Sequence, residues 1–245
     1  MRLPTVGGVI RRRLLLNFRV DPEVITRQLP SPFIPKLHDG SGIAGICLIR
    51  LEAIRPRGFP RLFGLSSENA AHRIAVQWPS EDGMKEGVFI PRRDSNSLVN
   101  QLAGGRLFPG EHHAARFDVS ESGNSIRLEM AANDGAAWVR VSASISDRLP
   151  SSSVFASVDE ASRFFEPGSL GYSLTRRSGT LHGVVLRTRT WSVEPLAVHE
   201  VDSSYFSDSA RFPEGSISFD HGLIMRNIEH EWQGTSDLYV EPGAA

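Results

Sequence analysis

Residues 117–145 read FDVSESGNSIRLEMAANDGAAWVRVSASI, and this stretch decides the fold class. Apolar side chains alternate with polar ones in three runs, which are Phe117/Val119, Ile126/Leu128/Met130 and Val139/Val141/Ala143/Ile145. Turn residues separate the runs at Ser122-Gly123-Asn124 and Asn133-Asp134-Gly135. Alternation with a period of two is typical of strands with one buried face, and Gly beside Asn or Asp is typical of tight turns. The stretch therefore predicts a three-stranded antiparallel meander.

Outward from the meander, most of the chain also favours strands. Residues 9–20 have a strand-like pattern, and the turn His38-Asp39-Gly40-Ser41-Gly42 predicts a hairpin leading into a long apolar run from Ile43 to Ile54. The first half of that run is apolar at successive positions, so we expect it to be buried on both sides. Residues 181–201 and 216–232 are rich in β-branched and aromatic side chains, which predicts further strands that close or cover the sheet.

Short helices are predicted near residues 22–29, 95–103 and 158–165. Asp21-Pro22-Glu23 and Ser157-Val158-Asp159-Glu160 have the residue types of helix starts, and Gly104-Gly105 has those of a helix end. The sequence thus predicts a mainly β fold (β-rich α+β), an antiparallel β-barrel or cone with a few short peripheral helices. Because all-β chains of 245 residues commonly fold around one core, we expect residues 1–245 to form a single domain.

The composition of the chain argues against some classes of binding partner. The formal net charge is −1, so no global positive field would recruit nucleic acid or an anionic membrane surface. No apolar run approaches the length of a signal or transmembrane helix, and the single cysteine, Cys47, cannot form an internal disulfide. We therefore expect a cytoplasmic protein with a small-molecule partner, no nucleic acid and no membrane, and a homo-oligomer is compatible with this sequence.

Common catalytic motifs are absent. The chain has no G-x-S-x-G, no P-loop, no H-E-x-x-H and no C-x-x-C, and we expect neither a cofactor nor a metal ion. His112 and His113 are the only adjacent histidines, and neighbours on a strand point to opposite faces. This spacing favours a surface or hydrogen-bonding role for the pair over a metal site.

The segment from Gly64 to His72 is the strongest candidate site. It reads GLSSENAAH and sets Glu68 and Asn69 among small residues, which permit the close approach of a backbone or a ligand. From the residues alone, a polar turn in which Glu68 only caps a backbone group explains the pattern equally well. Both interpretations stay open at this point.

Three stretches of the chain resemble corresponding parts of acetoacetate decarboxylases, in order and in spacing. They are residues 11–30, which contain Asn17-Phe18-Arg19-Val20-Asp21, residues 64–71, and Gln101-Leu102-Ala103-Gly104-Gly105. The chain is more closely similar to the YqjF-like branch of that superfamily, domain of unknown function family 2071. The similar phrases there are Ala44-Gly45-Ile46-Cys47-Leu48-Ile49-Arg50, Ile90-Pro91-Arg92-Arg93-Asp94 and residues 104–110.

This resemblance implies a cone or barrel with an apolar pocket, in which a lysine forms a Schiff base with a β-keto acid near a glutamate and an arginine. Glu68 falls on the glutamate and Arg11 on the arginine. Where the lysine belongs, this sequence has Arg106-Leu107-Phe108. Lys36 and Lys85 are the only lysines, the former beside a proline and the latter in an acidic loop, so we expect both to be solvated. Because an arginine cannot act as an amine nucleophile, acetoacetate decarboxylation is not expected.

Three functions remain open on this basis. The first is an uncharacterised small-molecule-binding protein whose ligand is a small organic acid. The second is a lysine-independent lyase or hydrolase with Glu68 as general acid or base. The third is an interaction protein whose pocket is filled by Leu107 and Phe108. The site residues predicted for the first two are Glu68 and Arg11 as catalytic groups and Asn69, Arg92 and Arg106 as ligand-binding groups.

Overall fold

The structure is a computed structural model, and it describes residues 5–60, 62, 64–98, 110–175 and 179–240. Within these residues the strands are β1 (Val6–Val20), β2 (Ile34–Pro35), β3 (Leu37–His38), β4 (Ser41–Pro56), β5 (Leu65–Ser80), β6 (Gly83–Ser95), β7 (His112–Ser122), β8 (Ser125–Ala132), β9 (Trp138–Ile145), β10 (Leu170–Leu174), β11 (Thr180–Thr188), β12 (Glu194–Ser203), β13 (Ile217–Gly234) and β14 (Leu238–Tyr239). The helices are α1 (Pro22–Thr26), α2 (Val158–Phe165) and a 3₁₀ turn (Glu166–Ser169).

The strands form one large mixed sheet. Its order is β14-β11-β10-β6-β7-β8-β9-β12-β13-β1-β4-β5-β2, with β3 paired to β4 and further pairings between β11 and β13 and between β5 and β6. Most pairs are antiparallel, but β6 runs parallel to both β7 and β10. Because β4, β5, β6, β11 and β13 each pair with three strands, the sheet branches at these five strands. The fold is therefore mainly β, as predicted, but it is a branched mixed sheet and not a strictly closed antiparallel barrel.

Strands β1, β4 and β5 are buried on both faces, because apolar residues occupy successive positions along them. On one face, Leu14, Leu16 and Ile46 join the core cluster that includes the inner side chains of β8 and β9. On the other face, Leu15 and Cys47 join a second cluster with residues of α2. We call these the meander face and the helix face. Fully burying a leucine or isoleucine is worth about 1.5–3 kcal/mol, so the two clusters fix which residues of these strands point to each face.

Most of the predicted elements are confirmed. The meander has the predicted strands and turns, with Gly123 and Gly135 at positive φ, where a residue without a Cβ is favoured. The two outer helices begin at the predicted caps. Asp21 accepts a hydrogen bond from the Glu23 amide at 2.8 Å, and Ser157 accepts one from the Glu160 amide at 3.1 Å.

Two predictions about local structure need correction. The helix expected from residue 95 does not start there, because Ser95 is the last residue of β6, and residues 99–103 lie outside the described residues. The candidate segment from Gly64 to His72 is not a turn, since β5 begins at Leu65 and runs through it. Its small residues allow β5 to pair closely with β4 on one side and β6 on the other.

Candidate functional site

Glu68 lies on the meander face in a row of charged side chains. Arg12 of β1, Arg50 of β4 and Glu68 of β5 are directly opposite one another in the sheet. The Arg12 Nη2 donates to the Glu68 Oε2 at 2.7 Å, and the Arg50 Nη1 is 3.8 Å from Oε1. Glu68 is only 7% exposed, and this burial raises its pKa against the opposing charges of Arg12 and Arg50. The carboxylate is therefore part of a buried ion pair and does not cap a backbone group.

A second acid joins this pair. Glu121, the penultimate residue of β7, accepts a hydrogen bond from the Nη1 of Arg12. Arg12 is 2% exposed and thus holds two carboxylates, one of them buried. This arrangement compensates the buried guanidinium within the protein.

Arg11 is not the arginine that pairs with Glu68, so this part of the sequence prediction is wrong. Arg11 is exposed, and its Nη1 donates to the Asn227 Oδ1 at 2.7 Å. Opposite β4 the register passes from Ile10 to Arg12 while β4 advances by one residue, so Arg11 is the extra residue of a bulge. A bulge shifts which face a given position occupies, and counting residues along the strand cannot detect it.

The predicted ligand-binding arginines have different outcomes. Arg92 also lies on the meander face, where its Nη2 donates to the Asp94 Oδ1 at 2.7 Å and to the Asp134 Oδ1 at 3.0 Å. Its charge is therefore already compensated by two carboxylates. Arg106 lies outside the described residues, as do Leu107 and Phe108, on which the filled-pocket hypothesis depends.

A cavity of about 260 Å³ lies on the helix face, behind the strand that carries Glu68. Ser67, Asn69 and Ala71 line it, whereas Glu68 does not, because successive residues of a strand point to opposite faces. The other lining residues are mostly apolar and are Val6, Ile49, Leu51, Ile54, Arg55, Pro56, Leu65, Ala70, Arg93, Asp94, Ser97, His112 and Trp232. Of the predicted site residues, Asn69 is thus at the cavity.

Arg93 is the most unusual residue of the cavity, and sequence reasoning missed it. Its Nε donates to the Ser173 Oγ at 3.1 Å, but its Nη2 is buried and has no hydrogen-bond partner within the described residues. Burial lowers the pKa of Arg93 to about 10, so the guanidinium is still charged at neutral pH. The adjacent pair Arg92-Arg93 was visible in the sequence, but a register shift in β6 between Phe89 and Arg92 decides which of the two faces the cavity.

His112 and Asn69 supply the other polar groups of the wall. Burial, followed by the charge of Arg93, lowers the pKa of His112 to about 3, so this imidazole is neutral at pH 7. Its neighbour His113 points the other way and lies 3.2 Å from Asp134, which fits the hydrogen-bonding role predicted for the pair. Asn69 is held in place, because its Nδ2 donates to the Ser67 Oγ at 2.9 Å and its Oδ1 accepts from the Ser95 Oγ at 2.8 Å.

The two lysines lie away from this cavity. The Lys36 Nζ is 2.5 Å from the Glu86 Oε2 and also donates to the Phe164 carbonyl at 3.2 Å. Lys85 is 3.5 Å from Asp82 in the loop before β6. Within the described residues, no group of three or more His, Cys, Asp or Glu side chains is placed to hold a metal ion. Nor does this part of the chain contain a helix long and apolar enough to span a bilayer.

The model of the DUF2071 family, an uncharacterized conserved protein (COG2071), matches residues 9–216. This chain belongs to that family. No curated protein matches it in sequence.

Solved structures of the acetoacetate decarboxylase type share its fold. Acetoacetate decarboxylase from Legionella pneumophila superposes with a TM-score of 0.63 at 10% identity, covering 96% of this chain and 88% of that one. An acetoacetate decarboxylase-like enzyme from Sphingomonas wittichii RW1 gives 0.58 at 11% identity, with 98% and 93% covered. The enduracididine biosynthesis enzyme MppR, complexed with pyruvate, gives 0.60 at 10% identity, with 98% and 91% covered. Identities this low show a common fold and say nothing about a common activity.

Proposed function

We propose that this protein binds a small organic acid in the cavity on the helix face, with Arg93 holding the carboxylate. The observation that carries the proposal is the buried, unpartnered Nη2 of Arg93 at the wall of that cavity. A buried donor without an acceptor costs about 1–3 kcal/mol, and more when it is charged. A bound carboxylate would supply the missing acceptor and the missing negative charge.

The remaining walls support a small and partly apolar ligand. Ile49, Leu51 and Trp232 provide apolar surface, while Asn69 and His112 offer hydrogen-bonding groups. Pockets for drug-sized ligands measure about 300–1,000 Å³, so a cavity of about 260 Å³ suits a smaller molecule. The MppR structure of the same fold is complexed with pyruvate, which is itself a small acid.

Decarboxylation through a Schiff base is not part of the proposal. The reaction needs an amine at the substrate, and neither Lys36 nor Lys85 lines the cavity. Arg93 can hold an anion with several hydrogen bonds, but it cannot form an imine under these conditions. The cavity therefore supports binding of an acid more directly than it supports the chemistry of the decarboxylases.

Thermal-shift titrations with a panel of small carboxylic acids, each beside its primary amide, test the proposal. Acids should raise the melting temperature and their neutral amides should not, because only the carboxylate pairs with Arg93. Arg93→Gln should weaken binding about 10- to 100-fold, which corresponds to losing a charge-assisted pair of about 1.5–3 kcal/mol. Arg127→Gln, on the exposed side of β8, is the matched control and should bind as the wild type does. Equal responses to acids and amides, or unchanged binding by Arg93→Gln, would refute the proposal.

A lysine-independent lyase or hydrolase is the second candidate, and one observation favours it. Burial raises the pKa of Glu68, which is the direction that suits a general acid or base near neutral pH. Glu68 is separated from the cavity by the backbone of β5, so this function requires a substrate that reaches the meander face. Mass spectrometry of metabolite mixtures incubated with the protein tests it. Consumption of an acid that Glu68→Gln abolishes and Arg127→Gln retains would support catalysis, and no consumption by the wild type would exclude it.

A further inference from the structure

Cys47 lies between two buried guanidinium groups on the helix face. Its Sγ accepts from the Arg73 Nε at 3.1 Å and from the Arg13 Nη2 at 3.6 Å. All three side chains are deeply buried, with exposures of 2% for Cys47, 3% for Arg73 and 8% for Arg13. We call these three residues the sulfur–guanidinium cluster.

Within the described part of the chain, neither arginine of the cluster forms an ion pair with a carboxylate. The Nη1 of Arg13 contacts the Met225 Sδ at 3.9 Å, and its Nε is buried without any hydrogen-bond partner. The Nη2 of Arg73 donates to the Asn17 Oδ1, and its guanidinium lies 4.8 Å from the centre of the Phe165 ring. All of these neighbours are uncharged, so both guanidinium charges lack an anion unless the sulfur provides one.

The carboxylate connected to the cluster does not reach it. Asn17 Nδ2 lies 3.0 Å from His221 Nε2, and His221 Nδ1 lies 2.6 Å from Asp220 Oδ2. The Asp220 oxygens also accept hydrogen bonds from the Ser153 hydroxyl and the Val154 amide. A side-chain amide and an imidazole therefore separate this acid from the two guanidinium groups.

We infer that Cys47 is a thiolate at neutral pH and is the internal counter-anion of Arg13 and Arg73. A buried ion costs several kcal/mol unless it is paired, and among the described residues the sulfur is the one group between the two cations that can become an anion. Neighbouring arginines stabilise a thiolate over a thiol. Burial raises the pKa of Cys47, but the charges and hydrogen bonds of Arg73 and Arg13 outweigh it, and the net shift is downward.

The cluster also adjoins the cavity. Cys47 lies opposite Ala71, which lies opposite Arg93, so the sulfur and the cavity arginine are two strands apart on the same face. A negative charge on Cys47 favours the charged form of Arg93 and raises its pKa against the effect of burial. Cys47 is thus a positioning residue for the charges of the helix face, and this role does not depend on which ligand the cavity takes.

Ultraviolet absorption of the wild-type protein tests the ionisation directly, because a thiolate absorbs where a thiol does not. The chain has a single cysteine, so the difference between the spectra of the wild type and Cys47→Ser has one thiolate source. At pH 7 the native protein should show one equivalent of thiolate. Unfolding in denaturant at the same pH should abolish it, since an unfolded cysteine has a pKa of about 8.5. A native difference spectrum without the thiolate band at pH 7 would overturn the inference.

An isosteric pair of variants tests the role as counter-anion. Cys47→Asp keeps a negative charge between the two arginines, whereas Cys47→Asn has the same shape without the charge. Cys47→Asp should melt at the higher temperature. If the site needs no anion, the order should reverse, because burying a carboxylate costs more than burying an amide.

The pH dependence of stability has a definite sign. A folded pKa below the unfolded one means that the stabilisation is complete above about pH 8.5 and is lost as the pH falls through the folded pKa. The difference in melting temperature between the wild type and Cys47→Ser should therefore grow as the pH rises toward 8.5. The charges that face the sulfur are those of Arg13, Arg73 and, further away, Arg93. A difference that is constant with pH would contradict a titrating thiolate.

Discussion

Neighbouring arginines on two faces of the same strands have opposite surroundings. Arg12 and Arg92 point to the meander face, and each contacts two carboxylates. Arg13 and Arg93 follow them directly in the sequence and point to the helix face, where no carboxylate pairs with either in the described residues. The chemistry of the residue type is identical, so the difference lies in what each face supplies.

These two arginines of the meander face are already paired with carboxylates of the protein, whereas the two of the helix face have no carboxylate partner among the described residues. On the meander face, Glu68 and Asp94 are buried together with their arginines, and the ion pairs are complete without a ligand. On the helix face, Arg13, Arg73 and Arg93 have no carboxylate partner within the described residues. Cys47 compensates part of their charge, and the cavity beside Arg93 leaves room for an external anion. The proposed carboxylate site therefore lies on the helix face.

Substitution of Arg12 should have the largest effect on stability. Arg12→Gln leaves Glu68 buried beside Glu121 without their shared cation, and we expect a loss of about 3–5 kcal/mol in the free energy of unfolding. Arg11→Gln is the matched control and should change it by less than about 0.5 kcal/mol, since Arg11 is exposed. Denaturant titrations measure both values. Equal effects of the two substitutions would place the wrong arginine in the ion pair.

Substitutions of Arg92 and Arg93 should have different effects, the first mainly on the free energy of unfolding and the second mainly on acid binding. Arg92→Gln orphans the fully buried Asp94 and should cost about 3 kcal/mol. Arg93→Gln removes a charge that has no internal carboxylate and should leave stability unchanged or raise it, while weakening acid binding. Urea unfolding beside ligand titration of both variants checks this. A strong destabilisation by Arg93→Gln would indicate an internal partner and remove the reason for a ligand.

Acid should destabilise the protein through four histidines whose pKa burial lowers, which are His72, His112, His221 and His230. Burial lowers the pKa of His72 to about 3, of His112 to about 3 and of His230 to about 4. The unfolded histidines take up protons near pH 6.5, so stability is complete above that pH and falls below it, by about 1.4 kcal/mol per pH unit for each histidine. His72→Phe, which keeps a ring against Tyr205, should reduce the slope by about 1.4 kcal/mol per pH unit between pH 6 and 4.5. An unchanged slope in denaturation curves would mean that His72 titrates normally.

The smallest expected effect is the absence of a covalent adduct. Incubation with a β-keto acid and borohydride should leave the intact mass unchanged, because Lys36 and Lys85 lie away from the cavity. Mass spectrometry detects a stoichiometric addition. An adduct mapped to either lysine would show that an amine reaches a bound keto acid, and Schiff-base chemistry would then return as a function.

Local patterns predicted the elements, and the same patterns could not predict the site. Alternation and turn residues were sufficient for the meander because each strand there has one buried face. Strands β1, β4 and β5 are buried on both faces. Their apolar runs therefore do not show which face of the sheet each side chain occupies. The bulge at Arg11 also changes which positions of β1 share a face. The arginine near Glu68 was therefore predicted to be Arg11, one residue before Arg12.

Arg93, His112 and the sulfur–guanidinium cluster show the same limit more strongly. Cys47, Arg13 and Arg73 are separated by tens of residues and meet only through the pairing of β1, β4 and β5. The sequence places Cys47 within the apolar run from Ile43 to Ile54, where the residue is buried. It gave no sign that two arginines would be buried beside it, because arginine is rarely buried without an acid.

A crystal structure of the protein soaked with the acid that gives the largest thermal shift tests the central claim most directly. The account predicts a carboxylate in the cavity on the helix face, with an oxygen about 2.7–2.9 Å from the Arg93 Nη2. The ion pairs of Arg12 and Arg92 should be unchanged in the complex. An empty cavity beside Arg93, or an acid bound at Glu68 and Arg12 on the meander face, would contradict it.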